Sequence, residues 1–183
     1  IRHGESDGNV GPNRQDASTP LSEKGREQAG FAAKRFAKIP VDVIISSTML
    51  RAHDTAEIIA SEVSKEIKSS HLFAEMRFAS EVLCKPKNSP ESIKFFKEVN
   101  ENFTKPGWRY MDAENFDDLK TRGLAALDYL KNLHEENILV VMHGAFMRIL
   151  MSCVMFGEKL SAHECQSFWR TLTMENTGIS CII

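Results

Sequence analysis

The pattern of hydrophobic and polar positions contains two short, nearly unbroken apolar runs, at residues 41–45 and 138–142. Their β-branched side chains are typical of strands that are covered on both faces, as in a parallel α/β sheet. Residues 179–183 form a third apolar run, which predicts one more strand. We interpret Ile1 as the last residue of an opening strand whose earlier part lies ahead of this sequence.

Helical spacing of apolar residues separates these strands. It recurs in five segments, at about residues 22–37, 48–65, 91–103, 116–134 and 145–156. Ser22 is a plausible N-cap of the first helix, and Pro40 follows its end. The alternation of strands and helices predicts an α/β fold, a three-layer α/β/α sandwich around a mostly parallel central sheet.

The strand–helix alternation is interrupted between residues 76 and 115. This stretch contains a loop with Pro86 and Pro90, an amphipathic helix and a turn at residues 105–108. It looks too short to have a core of its own, so we interpret it as a lid inserted over the edge of the sheet. The whole chain of 183 residues is then a single domain, long enough to bury a substantial core.

Composition removes several classes of function. The net charge is −2, so the sequence does not indicate a surface for nucleic acid. No apolar run approaches the roughly 20 residues that span a bilayer, and no secretory signal is visible. The four cysteines have no close spacing of the C-x-x-C type, which argues against metal ligation. We expect reduced, mostly buried thiols in a cytoplasmic protein that does not bind membranes.

Candidate chemistry is concentrated where the predicted strands end. Arg2 and His3 follow the opening strand, Arg51 lies in the first turn of the helix after the second strand, and His143 follows the run at 138–142. Because ligands bind beyond the carboxyl ends of parallel strands, we expect these four side chains to converge. Guanidinium groups match phosphate oxygens, and a histidine beside them has a lowered pKa that leaves a neutral, nucleophilic imidazole.

Two further features suit phosphate chemistry. Gly4 and Gly144 follow the two histidines, and glycine allows backbone amides to approach an anion closely. A leaving alkoxide also needs a proton donor. Glu75, just ahead of the predicted lid, is the best-placed acid, and Glu81 is its rival.

Four motifs, taken together and in this order, resemble those of a known family. They are R-H-G-E-S at residues 2–6 followed by Asn9, T-P-L-S-x-x-G-x-x-Q-A at 19–29, S-S-x-x-x-R-A-x-x-T-A at 46–56, and H-G-x-x-x-R at 143–148. The family is the histidine phosphatase superfamily, which has the phosphoglycerate mutase-like fold.

The resemblance implies a specific set of roles. His3 would accept the phosphoryl group, with a main-chain carbonyl on Nδ1 leaving Nε2 to attack. Arg2, Arg51, His143 and Asn9 would bind the phosphoryl oxygens, and Glu75 would protonate the leaving group. No metal or other cofactor is required. The expected substrate is a small-molecule phosphate ester, with a phosphoprotein as the alternative.

Two other functions stay open within the family. Mutases of this type carry E-R-H-Y-G after the acid, whereas Glu75 is followed here by Met-Arg-Phe-Ala, which favours a phosphatase over a mutase. The family usually has Arg or Asn before the acid, and this chain has Ala74. A catalytically inactive member that binds phospho-ligands or a partner protein is therefore the second alternative.

Overall fold

The computed structural model describes residues 1–182 and has a parallel sheet at its centre. Strands β1 (Val43–Ser46), β2 (Ile67–Ser69) and β3 (Ile138–Val141) are ordered β2-β1-β3. The opening residues extend this sheet beside β3, because Arg2 forms a parallel bridge with Met142 and the His3 amide donates to the Met142 carbonyl at 2.9 Å. The prediction of an α/β fold with a parallel sheet is confirmed. The short strand β2 was not predicted.

Helices cover both faces of the sheet. They are the short α1 (Asp7–Val10), then α2 (Glu23–Phe36), α3 (Leu50–Val63), α4 (Pro90–Asn102), α5 (Phe116–Lys131), α6 (Gly144–Phe156) and α7 (Ala162–Thr171). Strand β1 shows how the layers divide, since side chains alternate across a strand. Ile44 packs in the cluster that contains residues of α2 and α3, whereas Val43 and Ile45 pack in the cluster that contains residues of α5 and α6.

The predicted lid, residues 76–115, has more internal packing than we expected. Ala79, Val82, Phe95 and Ala113 form a separate buried cluster, so the expectation that this segment lacks a core is wrong. The physical reason is a set of edge-to-face aromatic contacts around Phe95, which close a small apolar interior. Phe78 and Val99 pack against both this cluster and the main one around α5 and α6.

The lid is also fastened to the loop after the first histidine. The ammonium group of Lys87 donates to the carbonyls of Asn9 and Gly11 at 3.0 and 2.7 Å. The guanidinium of Arg14 lies 4.1 Å from the centre of the Phe96 ring on α4. These contacts join the lid to the segment that carries Asn9.

The last predicted strand is not formed in residues 179–182, and Ile183 lies outside the described residues. The backbone pairing stops just before it, because the Arg2 amide donates to the Gly178 carbonyl at 3.1 Å and the Thr177 amide donates to the Arg2 carbonyl at 3.1 Å.

The structure shows which cysteine thiols are buried and whether any helix could cross a membrane. All four cysteines are free; Cys153 and Cys165 are buried, but Cys84 and Cys181 are exposed, so the expectation of mostly buried thiols is only half right. Cys84 lies in the loop of the lid, away from the main core. Within residues 1–182, none of the helices has the length and apolar character that crossing a membrane requires.

Candidate active site

His3 is a buried imidazole whose two ring nitrogens have different partners. Its Nδ1 lies 2.6 Å from the Gly4 carbonyl oxygen, and Arg51 Nε lies 3.3 Å from its Nε2. Since a carbonyl can only accept, the ring proton belongs on Nδ1, and the lone pair on Nε2 accepts from Arg51. Burial, together with the charge of Arg51, lowers the pKa of His3 to about 3, so the ring is neutral at physiological pH.

His143 lies beside His3, with 5.1 Å between the ring centroids. Its Nε2 is 2.7 Å from the hydroxyl of Ser47, at the end of β1. That hydroxyl oxygen also accepts from the Met49 amide at 3.2 Å. Which of Ser47 Oγ and His143 Nε2 donates to the other depends on the tautomer of the ring. His143 Nδ1 is buried and has no hydrogen-bond partner in the described chain. Burial first, then the charge of Arg51, lowers the pKa of His143 well below its ordinary value.

Two arginines supply positive charge next to these rings. Arg51 is buried in the first turn of α3 and donates to the Asp16 carbonyl at 2.8 Å. Arg2 donates from Nη1 to the Met174 carbonyl at 2.5 Å, while its Nε is buried and has no partner within residues 1–182. Burial lowers the pKa of Arg51 to about 10, partly offset by the charge of Glu75, so the guanidinium stays charged at neutral pH.

Glu75 reaches the same cluster from the segment ahead of the lid. Its carboxylate accepts from the backbone amides of Met76 and Phe146 at 2.9 and 2.8 Å through Oε1, and from Ala145 at 3.2 Å through Oε2. Ala145 and Phe146 belong to the first turn of α6, where unpaired amides favour an anion. The carboxylate is therefore bound at the N-terminus of α6, and His143 is the residue that immediately precedes this helix.

Glu81, the rival acid, lies elsewhere. Its carboxylate accepts from the Tyr110 hydroxyl at 2.7 Å, inside the predicted lid. This hydrogen bond is the main cause that raises the pKa of Tyr110 to about 12. The structure thus gives Glu81 a partner within the lid and places Glu75, of the two, beside the histidines.

Asn9 closes the loop that follows His3. Its Oδ1 accepts from the Ser6 amide at 3.0 Å and from Asn176 Nδ2 at 3.2 Å. The same Asn176 amide group donates to the His3 carbonyl at 3.0 Å. The Oδ1 of Asn9 is therefore occupied, and only its Nδ2 group is left to contact a ligand. A phosphate-binding role for Asn9 stays a prediction.

Gly4 has a different function from the one we expected, whereas for Gly144 that function stays a prediction. The Gly4 amide donates to Thr55 Oγ1 at 3.0 Å and so is engaged away from any anion. A Cβ at Gly4 would lie 2.4 Å from the Gly25 carbonyl oxygen, so glycine is needed for close packing on α2. A Cβ at Gly144 would lie 3.3 Å from Arg2 Nε, so glycine there leaves room for the guanidinium.

The cluster therefore combines two neutral imidazoles, two guanidinium groups and one carboxylate from four distant parts of the sequence. Such a set of donors suits a tetrahedral oxyanion better than a metal cation, because the guanidinium groups would repel a cation.

Comparison with known proteins agrees with this geometry. A family model described as "Histidine phosphatase superfamily (branch 1)" matches residues 1–182. The chain belongs to the histidine phosphatase superfamily. The family predicted from the four motifs is therefore confirmed, and so is the expectation of an enzyme of the phosphatase type.

Individual relatives of this histidine phosphatase carry different names. A probable phosphoglycerate mutase GpmB from Photorhabdus laumondii is 32% identical over 98% of this chain and 81% of that protein. The mitochondrial serine/threonine-protein phosphatase Pgam5 of Drosophila persimilis is 36% identical, over 54% of this chain and only 35% of that protein. The crystal structure of the alpha-ribazole phosphatase from Shigella flexneri matches with a TM-score of 0.78 at 22% identity, covering 96% of this chain and 84% of that one.

Several residues that shape the site were missed from the sequence. They are Ser47, which contacts His143, Thr55, which holds the Gly4 amide, Asn176, which links His3 to Asn9, and Arg122, which contacts the Ala74 carbonyl. Ser47 and Thr55 lie inside a recognised motif, so the signal for them was present. Asn176 and Arg122 act through backbone carbonyls of distant residues, and no local pattern marks such contacts.

The low pKa values of the two histidines predict how stability depends on pH. An unfolded histidine has a pKa of about 6.5, whereas that of folded His3 is about 3. At pH values between these two pKa values, the unfolded chain binds a proton on this histidine and the folded chain does not. The free energy of unfolding therefore falls as the pH is lowered through this range. Each buried histidine contributes a slope of about 1.4 kcal/mol per pH unit.

Urea unfolding at several pH values between 7 and 5 measures this slope. Over this range the unfolded histidine is only partly protonated, so His143→Gln is expected to reduce the slope by roughly 1 kcal/mol per pH unit. A slope that is the same in wild type and His143→Gln would contradict the neutral, buried state of this ring.

Proposed function

We propose that this histidine phosphatase is a metal-independent phosphomonoester hydrolase that works through a phosphohistidine on His3. The observation that carries the proposal is the buried, neutral imidazole of His3, whose Nε2 lone pair faces the Arg51 guanidinium at 3.3 Å. A nucleophile of this kind needs no base to deprotonate it. The adjacent cation attracts a phosphoryl group to the same place.

The phosphoryl oxygens would be bound by donors that have no other partner. Arg2 Nε and His143 Nδ1 are both buried and unpaired within the described chain. Buried donors are nearly always hydrogen-bonded in proteins, so two unpaired donors in one cluster favour an anionic ligand. With Arg51 they would meet the charge that develops on the phosphoryl oxygens in the transition state. Asn9 Nδ2 would supply one more donor.

The reaction would proceed in two displacements. In the first, His3 Nε2 forms a bond to phosphorus while the bond from phosphorus to the leaving oxygen breaks, and the carboxylic acid of Glu75 gives its proton to that oxygen. In the second, the Glu75 carboxylate takes a proton from water as the water oxygen attacks phosphorus. The N–P bond breaks, phosphate is released, and neutral His3 and protonated Glu75 are restored.

Glu75→Gln tests the acid step. The amide keeps the shape of the side chain but cannot supply a proton, so kcat/KM for an alkyl phosphate should fall by about 10²–10⁴. This ratio reports the first displacement alone, since hydrolysis of the phosphoenzyme is the same for every ester. For p-nitrophenyl phosphate, kcat/KM should fall much less, because p-nitrophenolate leaves without a proton. Glu81→Gln is the matched control and should retain activity on both esters. Equal losses of kcat/KM on both esters in Glu75→Gln would reject Glu75 as the acid.

The proposal as a whole is tested by assaying a panel of phosphate monoesters with and without EDTA. Turnover that survives the chelator supports it, and turnover that the chelator abolishes would overturn it. Tight binding of vanadate or phosphate without turnover of any ester would instead support the inactive, ligand-binding alternative.

A mutase activity is the runner-up, and the name of the 32% identical relative is the reason to test it. Against it, the basic residue after the acid does not face the site. Arg77 is exposed, and its Nε donates to the Asp112 carbonyl at 3.0 Å. Incubation of labelled 3-phosphoglycerate with the enzyme should therefore give free phosphate in excess over 2-phosphoglycerate.

A small-molecule ester is the substrate class that the site favours. His3 and His143 are exposed by only 1% and 0%, so the phosphoryl group must enter a confined space, which favours a small ester over a bulky protein surface. Because the Drosophila relative is named a serine/threonine-protein phosphatase, a phosphoserine peptide is the appropriate substrate to compare with small esters. Small phosphate esters should be hydrolysed with a higher kcat/KM than a phosphoserine peptide.

We expect the enzyme to act in the cytoplasm.

A further inference from the structure

We propose that Arg122, oriented by Glu114, is a positioning residue that fixes Glu75 for proton transfer. The inference rests on the proposed function, since it concerns the acid of that reaction. Arg122 lies on α5, and nothing in its local sequence marks it as part of the site. Arg122 does not contact the Glu75 carboxylate directly, but it contacts two residues that position this carboxylate.

The first contact is with the backbone ahead of Glu75. Arg122 Nη1 donates to the carbonyls of Leu72 and Ala74 at 3.1 and 2.8 Å. Ala74 directly precedes Glu75, so the hydrogen bond to its carbonyl fixes the position of the Glu75 backbone. A hydrogen bond from a charged donor is stronger than a neutral one.

The second contact is with the helix that holds the carboxylate. The Arg122 guanidinium lies 3.7 Å from the centre of the Phe146 ring. Phe146 in turn donates its backbone amide to Glu75 Oε1 at 2.8 Å. Arg122 therefore contacts both the residue ahead of the acid and the residue whose amide binds it.

Glu114 completes the arrangement on the far side. Its two carboxylate oxygens accept from Arg122 Nε and Nη2, each at 2.8 Å, in a two-pronged ion pair. The side chains are 16% and 12% exposed, so solvent screens this pair less than a surface pair. Glu114 Oε2 also accepts from the Arg77 amide at 2.8 Å. Residues 74 and 77 are thus held on both sides of Glu75 by one ion pair.

Fixing the backbone on both sides of Glu75 matters because an acid must lie within hydrogen-bond reach of the leaving oxygen. A displacement of about 1 Å can cost on the order of 10²-fold in rate. Arg122 itself is not a proton donor to substrate in this scheme, since its guanidinium contacts backbone carbonyls, Glu114 and the Phe146 ring.

The test compares two substrates in four variants. Arg122→Met keeps the aliphatic bulk and removes every donor, Arg122→Lys keeps the charge, and Glu114→Gln keeps the shape. For an alkyl phosphate, kcat/KM should fall about 10- to 100-fold in Arg122→Met, with an intermediate loss in Arg122→Lys and Glu114→Gln. For p-nitrophenyl phosphate, kcat/KM, which reports the first displacement alone, should stay within about threefold. KM for the alkyl phosphate should change little. Arg26→Met, which breaks the ion pair with Asp54, is the control and should change neither.

A double variant decides whether Arg122 acts through Glu75. Once Glu75→Gln has removed the acid, adding Arg122→Met should change kcat/KM for the alkyl phosphate by less than about twofold. Losses that multiply in the double variant, or equal losses on the two esters, would overturn the inference. If Arg122→Met does not fold by circular dichroism, the same cycle with Glu114→Gln gives the answer.

Failure of this inference can be told apart from failure of the proposed function. If Glu75→Gln shows no dependence on the leaving group, the assignment of the acid fails, and the inference about Arg122 fails with it. If Glu75→Gln behaves as expected and Arg122→Met does not, only the inference about Arg122 is wrong.

Discussion

His3→Ala is expected to lower kcat/KM for any phosphate monoester by on the order of 10⁴–10⁶, because it removes the atom that accepts phosphorus. No other described group can replace it in the same place. The second imidazole, His143, has its Nε2 engaged by Ser47, and in the proposed mechanism its Nδ1 donates to a phosphoryl oxygen. The largest effect of any substitution on activity should therefore be at residue 3.

Phosphoenzyme trapping checks this directly. Wild-type enzyme mixed with ³²P-labelled substrate and quenched within milliseconds should carry label that is stable to alkali and released by acid, as expected for a phosphoramidate. His3→Ala should carry no label, and His134→Ala, at an exposed position, should match wild type. Label on His3→Ala, or turnover near the wild-type rate, would disprove nucleophilic catalysis by this residue.

Gly25→Ala is expected to cause the largest loss of stability of any single methyl addition in α2. A Cβ at this position would lie 1.8 Å from the Glu5 carbonyl oxygen and 2.9 Å from the Glu5 amide nitrogen. Both atoms belong to the backbone, so no side-chain rotation relieves the clash. We expect the free energy of unfolding to fall by about 3 kcal/mol or more. Activity should fall too, because the displaced loop carries His3 and Gly4.

Gly30→Ala on the same helix provides the matched control. A Cβ there meets nothing within 4 Å, so the higher helix propensity of alanine should raise the free energy of unfolding by about 0.5–1 kcal/mol. Urea unfolding of both variants gives the two values. A Gly25→Ala protein as stable as wild type would show that the loop after His3 does not pack on α2 as described.

Much of the sheet and of the charged cluster could be predicted from the sequence for a simple reason. Parallel strands need apolar residues on both faces, so β1 and β3 stand out as unbroken runs, and the residues after them must share one edge of the sheet. That reasoning is enough to bring Arg51 and His143 towards Arg2 and His3. Strand β2 was missed because only Ile67 of its three residues is a large apolar one.

The remaining features depend on contacts between distant backbones, which leave no periodic signal. Gly4 illustrates this, since its lack of a side chain looked like an adaptation to an anion and is required by the carbonyl of Gly25. The choice between Glu75 and Glu81 is a second case. Both are glutamates near the start of the lid, and only the fold shows that Tyr110 holds one and α6 receives the other.

The attachment of Lys87 to the carbonyls of Asn9 and Gly11 has a consequence for redesign. A lid transplanted from another protein to change substrate preference would remove this ammonium group and leave two carbonyls without their donor. The loop that carries Asn9 would then lose one of its contacts with the lid. We expect chimeras that retain residues 84–89 of this chain to keep their catalytic rate, and chimeras that replace them to need a compensating lysine or arginine.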